Sequence, residues 1–223
     1  MATAAAALAG LSFLVIGESH MMYELHEAIH TDLRAQGAAY VHTVGACGAS
    51  AIDWVQPRKV DCSSEKKGQE PVKFNSKGGQ TQAIKQLIAS DKPDVVLLII
   101  GDTMGSYDNE VFPKAWAWQG ITSLTKEISG THTPCVWVGP AYGRAGGKYD
   151  KRNDKVERAD RFLAANVSPC VYINSLQFAK PAQWRTFDGQ HFAAEGYAAW
   201  SKSIVTELTQ IPMVQQLQKE KPH

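Results

Sequence analysis

The chain has 223 residues, 44% hydrophobic and 20% charged, which is enough for one α/β domain with a buried core. Its 23 basic and 22 acidic residues leave a net charge of +1, so no global field draws it to nucleic acid or to an anionic membrane. The longest apolar run, Val95 to Ile100, is far too short to span a bilayer, so no integral membrane segment is expected.

In chain order, short β-rich runs alternate with helical stretches. Residues 1–10 are alanine-rich, with no basic residue before Arg34. They read either as a frayed, flexible end or as the trimmed start of an exported protein. Phe13-Leu-Val-Ile16 is a buried strand ending at Gly17, followed by a helix over Met21 to Ala35 with Leu25, Ala28, Ile29 and Leu33 on one face. Ala39 to Val44 is a second strand, and Asp61 to Gly79, polar and glycine-rich, is expected to be a long loop. Thr81 to Ala89 is helical, and Asp94 to Ile100 is the clearest strand, apolar on both faces as in a parallel sheet. Cys135 to Val138 and Cys170 to Ile173 are two further strands, separated by a charged amphipathic helix over Asn153 to Ala165. Ala193 to Leu208 is the last helix of a domain spanning 11–210, and 211–223 is expected to be a polar, frayed tail. Strands separated by helices predict a three-layer, doubly wound α/β fold with a five-stranded parallel sheet. In such a sheet, functional groups gather beyond the carboxyl ends of the strands.

Four strand-end or loop segments carry the polar residues that matter. The first strand runs through Gly17-Glu-Ser-His20 into a helix, a place that suits a helix cap and equally exposes a hydroxyl beside free backbone N–H groups. The second strand ends in Gly45-Ala-Cys-Gly-Ala-Ser50, the third in Gly101-Asp-Thr-Met104, and Asp188-Gly-Gln-His191 precedes the last helix. A carboxylate and an imidazole three residues apart on one loop can serve one site as orienter and base.

Together and in this order, these segments resemble the blocks of the SGNH/GDSL hydrolase family. Gly17 to His20 is similar to Gly-Asp-Ser-[Leu/His], with Glu18 in place of Asp. Val41 to Ser50 is similar to Val-x-Asn-x-Gly-x-x-Gly-x-[Ser/Thr], with Thr43 in place of Asn. Pro93 to Gly101 matches the run-up to the third block, and Asp188 to Tyr197 resembles Asp-Gly-x-His-x-x-x-x-Gly-Tyr. The resemblance implies a flavodoxin-like fold and a serine esterase with Ser19 as nucleophile, His191 as base and acid, and Asp188 as its orienter. Backbone N–H groups of Ser19 and Gly48 would form the oxyanion hole. The third block departs from the family's Gly-x-Asn-Asp: ungapped alignment puts Thr103 on the oxyanion-hole Asn, and a shift by one puts Asp102 there, which helps only if protonated.

The expected substrate is a short acyl ester, acetyl above all, on a carbohydrate or another small alcohol, with Trp184 and Tyr142 lining the groove. The alternatives are an O-acetyltransferase acting on a glycan, and a carbohydrate-binding relative that has lost activity. No cofactor is expected. His26 and His30 have a spacing suited to zinc on a helix, but no metal is expected there. Gly143 to Gly147 reads as a flexible rim rather than a phosphate loop. Because Pro134-Cys-Val-Trp-Val and Pro169-Cys-Val-Tyr-Ile are expected to be neighbouring strands, Cys135 should pair with Cys170, and Cys47 with Cys62 across the loop after the second strand. Two disulfides predict the periplasm or the cell exterior; without them the protein would be cytoplasmic.

Overall fold

The computed structural model describes residues 6–22 and 24–221. The chain folds as β1 (Ser12–Gly17), α1 (Glu24–Ala35), β2 (Tyr40–Ala46), β3 (Lys59–Val60), β4 (Ser63–Lys67), β5 (Lys73–Asn75), β6 (Gly79–Gln80), α2 (Ile84–Asp91) and β7 (Val95–Ile99). It continues through α3 (Asp102–Gly105), α4 (Lys114–Ser129), β8 (Cys135–Val138), α5 (Asn153–Asn166), β9 (Val171–Ile173), α6 (Ala194–Gln210) and α7 (Pro212–Lys219). The five strands expected from the apolar runs are β1, β2, β7, β8 and β9. They pair in parallel in the spatial order β2-β1-β7-β8-β9, the flavodoxin-like winding.

Successive side chains of a strand point to opposite faces, so each apolar run feeds two cores. Leu14, Ile16, Val96, Leu98 and Trp137 pack under α2, α4 and α5, whereas Phe13, Val15, Val95, Leu97 and Val138 pack under α1, α6 and α7. This is the three-layer arrangement expected of a sheet apolar on both sides.

Three segments differ from the sequence expectation. Residues 61–79 are not a long loop: β4 and β5 extend the sheet antiparallel beyond β2, and β3 pairs with β6 in a separate two-stranded sheet. These strands escape notice because they are polar and lie at or near an edge, so no apolar alternation marks them. Residues 212–219 form α7, whose Val214 is fully buried against α6 and its neighbours, so the tail is docked rather than frayed up to residue 221. Residues 6–10 are likewise packed: Leu8 is buried and its N–H donates to the Gln36 carbonyl, while the rest of the expected flexible end lies outside the described residues. One helix had no sequence assignment: α4 buries Ala117, Ile121, Leu124 and Ile128, an ordinary three-and-four spacing interrupted by exposed tryptophans.

Among the described residues, no helix is long and apolar enough to cross a membrane. Disulfides join Cys47 to Cys62 and Cys135 to Cys170. The first ties the loop after β2 to the edge extension, and the second joins the start of β8 to the residue before β9.

Candidate active site

The carboxyl ends of β1, β2 and β7 open into a cavity of about 790 Å³ that is lined by Ser19, Gly48, Asp102, Thr103 and His191, among others. It lies where the strand order reverses between β1 and β7, the switch point at which open α/β sheets bind ligands. Ser19 opens a 3-10 turn directly after β1. Its hydroxyl is 2.7 Å from Nε2 of His191, and Nδ1 of His191 is 2.7 Å from Oδ2 of Asp188.

The protonation pattern follows from the partners. Burial works to raise the Asp188 carboxyl, but the N–H and ring of His191 and the N–H of Gln190 together hold it below the ordinary range. An ionised Asp188 can only accept, so Nδ1 carries the hydrogen and Nε2 is left to accept from the Ser19 hydroxyl. Ser19, His191 and Asp188 therefore form one hydrogen-bonded chain, with the imidazole in the tautomer able to accept a serine proton.

The loop bearing Asp188 and His191 is held by a neighbour that the sequence suggested was a flexible rim. Residues 143–148 are clasped to it through backbone bonds, Arg144 N–H to the Gly189 carbonyl (2.8 Å) and Lys148 N–H to the Asp188 carbonyl (2.9 Å). Close approach explains the glycines. A Cβ on Gly147 would lie 2.3 Å from the Asp188 carbonyl oxygen, and Gly189 has a φ of +95° with Gly147 against it.

The third strand-end loop is built around two buried acidic side chains, Glu18 and Asp102. Glu18 is buried and accepts the backbone N–H groups of Gly101, Asp102 and Thr103 at 2.9, 2.6 and 2.9 Å. Burial, reinforced by the nearby Asp102 carboxylate, pushes Glu18 up to about 8 against the pull of those three donors. Asp102 accepts from His20 Nε2 (2.7 Å), Lys151 Nζ (2.6 Å) and the Tyr107 hydroxyl (2.9 Å). Burial opposes its ionisation, but Lys151 and His20 outweigh it and hold Asp102 well below the usual carboxylate range. His20 is lowered to about 4, chiefly by burial, and is neutral. It donates from Nε2 to Asp102 and accepts at Nδ1 from the Tyr197 hydroxyl (2.9 Å). The His20 and His191 rings lie 5.1 Å apart, so this network lies directly behind the His191 ring.

These contacts correct the reading of the third block. An ionised Asp102 has no hydrogen to offer an oxyanion. The hydroxyl of Thr103 donates to the Ala49 carbonyl at 2.9 Å and its N–H to Glu18, so its one hydroxyl hydrogen is already committed. Gly48 is different: it turns with a φ of +64° at the cavity wall, and no carbonyl among the described residues takes its N–H.

The aromatic residues expected in the groove lie elsewhere. Trp184 packs edge-on against Phe192, with ring centroids 5.3 Å apart, beside the α6 core. The Tyr142 hydroxyl donates to Glu157, and its ring packs on the opposite core. The cavity is instead lined by Phe74 from the edge extension, Trp116 from the first turn of α4, and Tyr107 and Tyr149. Closeness in sequence to the loop of 188–191 does not bring Trp184 to the cavity wall, whereas Trp116, exposed on an amphipathic helix, lies there.

Residues 26–30 read His-Glu-Ala-Ile-His, which has the H-E-x-x-H spacing of zinc proteases. Side-chain contacts decide its role: His26 Nδ1 donates to the Met21 carbonyl (3.0 Å) and Nε2 accepts from the Thr43 hydroxyl (2.7 Å), so both nitrogens serve the packing of α1 on β2. No group of three or more metal-ligating side chains occurs among the described residues.

No family model matches the chain. It is 34% identical over 205 residues to protein BcsX of Komagataeibacter xylinus, covering 90% of this chain and 77% of that protein. Its fold is similar to that of a carbohydrate esterase family 3 protein from Talaromyces cellulolyticus, with a TM-score of 0.59 at 13% identity over 92% of this chain and 99% of the other. A GDSL-like lipase from Bacteroides thetaiotaomicron gives a TM-score of 0.56 at 10% identity over 89% and 87% of the two chains.

Proposed function

Because the chain belongs to the BcsX family and has the SGNH/GDSL hydrolase fold, we propose that it is a serine esterase that removes short acyl groups, acetyl first, from a carbohydrate. The observation that carries this reading is the unbroken Ser19–His191–Asp188 relay at the floor of an open cavity. In this mechanism the Ser19 oxygen attacks the ester carbonyl as its proton passes to Nε2 of His191. The backbone N–H groups of Ser19 and Gly48 receive the oxyanion, and ionised Asp188 stabilises the imidazolium. The imidazolium returns the proton to the leaving alcohol, and water repeats the cycle on the acyl-enzyme.

A short acyl group suits a cavity that is open at the carboxyl end of the sheet and mixes polar residues such as Ser50, Asp53 and Gln190 with apolar ones, rather than a deep apolar tunnel. The two disulfides fit an oxidising compartment, the periplasm or the cell exterior, where acylated polysaccharides are found. The test is kcat/KM for p-nitrophenyl esters of two to twelve carbons, with Ser19→Ala as control. A steep preference for acetyl and loss of about 10⁴-fold or more in the variant are expected. A maximum at eight carbons or more overturns the acyl-length reading, and unchanged turnover in Ser19→Ala overturns the whole mechanism.

A further inference from the structure

The cavity around Ser19 has two features that the acyl-transfer step does not use: exposed aromatic faces and uncompensated negative charge. Phe74 is 56% exposed and Trp116 41% exposed, yet both line the same cavity as Ser19 and His191. They come from separate elements, the edge strand β5 and the first turn of α4. The fold has no need of their faces, since the two cores close without either ring. Large aromatic faces left in water at a cleft are the usual mark of a ligand that covers them. A cavity of about 790 Å³ is also far larger than an acetyl group requires, and falls toward the upper end of the roughly 300–1,000 Å³ typical of small-molecule sites.

The charges narrow the class of ligand. Four carboxylates line the cavity, Asp53, Asp61, Asp102 and Asp108, against a single cation, Arg58. Asp53 is paired with Arg58 at 2.7 Å, and Asp102 with Lys151 behind the wall at 2.6 Å. Asp61 and Asp108 are exposed and have no cationic partner among the described residues. Lys148 lies over the Tyr149 ring at the wall (5.1 Å), so the uncompensated negative charge is local to Asp61 and Asp108, and a polyanionic chain passing them is repelled there.

We propose that the cleft binds an uncharged glycan chain rather than a single sugar, with Phe74 and Trp116 as platforms for ring faces beyond the acylated residue and Asp61 and Asp108 excluding acidic polysaccharides. A pyranose ring has C–H faces that lie flat on an aromatic ring, and hydroxyls at its rim that hydrogen-bond to carboxylates. An uncharged chain satisfies both features at once. The inference rests on the esterase reading of Ser19.

The experiment measures kcat/KM of the intact protein on acetylated xylo-oligosaccharides of one to six residues, with p-nitrophenyl acetate as the reference ester. The expected result is at least a tenfold rise from one residue to six. In Phe74→Ala and Trp116→Ala, the ratio of hexamer to p-nitrophenyl acetate activity should fall at least fivefold, mainly through KM. Acetylated oligogalacturonate should be the poorer substrate at low salt, and should gain on the neutral hexamer in Asp61→Asn/Asp108→Asn. No dependence on chain length, or an equal loss on both substrates in the aromatic variants, overturns the platforms. Oligogalacturonate used as well as the neutral hexamer overturns the charge filter. Either failure with p-nitrophenyl acetate still cleaved through Ser19 leaves the esterase reading standing, whereas no cleavage of any ester defeats that reading itself.

Discussion

Two loops at the carboxyl end of the sheet have opposite construction. The loop bearing Asp188 and His191 is held mostly by backbone: an Asx-type turn onto its own N–H groups, the Phe187 N–H to the His191 carbonyl, and the glycine-rich clasp of 143–148. The loop from Gly101 to Gly105 is held mostly by buried side chains, the protonated Glu18 accepting its N–H groups and the Lys151–Asp102 ion pair with His20 around it. Backbone clasps hold a side chain in one geometry at any ordinary pH. A buried-charge frame is rigid only while each charge keeps its partner. The loop of 188–191 is thus set by its backbone, while the loop of 101–105 is set by a side-chain network that lies behind the His191 ring.

The largest effect separating the two designs is expected at the Asp102–Lys151 pair. Lys151→Met leaves a buried carboxylate short of its cation and should cost about 3–5 kcal/mol of stability, as should Asp102→Asn with the roles reversed. The double variant should recover much of this loss, because no unpaired charge remains. Urea unfolding of the three variants checks it; additive losses in the double variant would show that the pair does not act as a unit.

On the backbone-built side, Gly147→Ala brings a methyl group against the Asp188 carbonyl and must displace the loop. Misplacement of a catalytic group by about 1 Å costs on the order of 10² in rate, so kcat for p-nitrophenyl acetate should fall by about that factor. Stability should change less than it does in Lys151→Met. Wild-type kcat in this variant would mean that the clasp does not position Asp188.

Much of this contrast was invisible in the sequence for a physical reason. That Ser19, Asp188 and His191 come together was legible because a short loop motif and a strand-end serine bring them to one sheet edge, and the fold was legible because five apolar runs alternate with amphipathic helices. The charge frame joins Glu18 to 101–103 and Asp102 to Lys151, contacts 49 to 85 residues apart that no local pattern encodes. Phe74 was hidden in an edge extension without apolar alternation, and Trp116 in a helix whose buried stripe is ordinary. Chain proximity favoured Trp184 and Tyr142, which pack on the cores instead.

The charge frame also predicts a pH signature. Glu18 titrates near 8 in the folded protein, mainly because it is buried, against about 4.3 in an unfolded chain. The folded state therefore holds the extra proton between these values. The stability so gained is fully present below about 4.3 and is lost as pH rises through 8. Glu18→Gln has no such proton. The stability of the wild type relative to Glu18→Gln should therefore decline from pH 5 to 8.5, with a slope of at most about 1.4 kcal/mol per pH unit. Comparing the two proteins cancels titrating groups that do not face Glu18, such as His26, and leaves Glu18 together with the Asp102 carboxylate that faces it. A difference independent of pH would place Glu18 as an ionised cap throughout.

The smallest expected effect is the most informative about the oxyanion hole. Thr103 stands where the sequence resemblance places a side-chain donor, yet its hydroxyl hydrogen goes to the Ala49 carbonyl at 2.9 Å and its N–H to Glu18. If that committed state persists through the reaction, the hole consists of the Ser19 and Gly48 N–H groups alone. Thr103→Val keeps the side-chain shape and removes only the hydroxyl. It should cost about 1 kcal/mol of stability, for one lost hydrogen bond, and less than tenfold in kcat. A true oxyanion donor is worth about 10²–10³ in rate. The rival is a hydroxyl that swings from Ala49 to the oxyanion in the transition state. It predicts a fall of 10²-fold or more in kcat for p-nitrophenyl acetate, with KM and the unfolding midpoint little changed. The two outcomes are separated by at least a factor of ten, and kcat, KM and urea unfolding measured on the one variant decide between them.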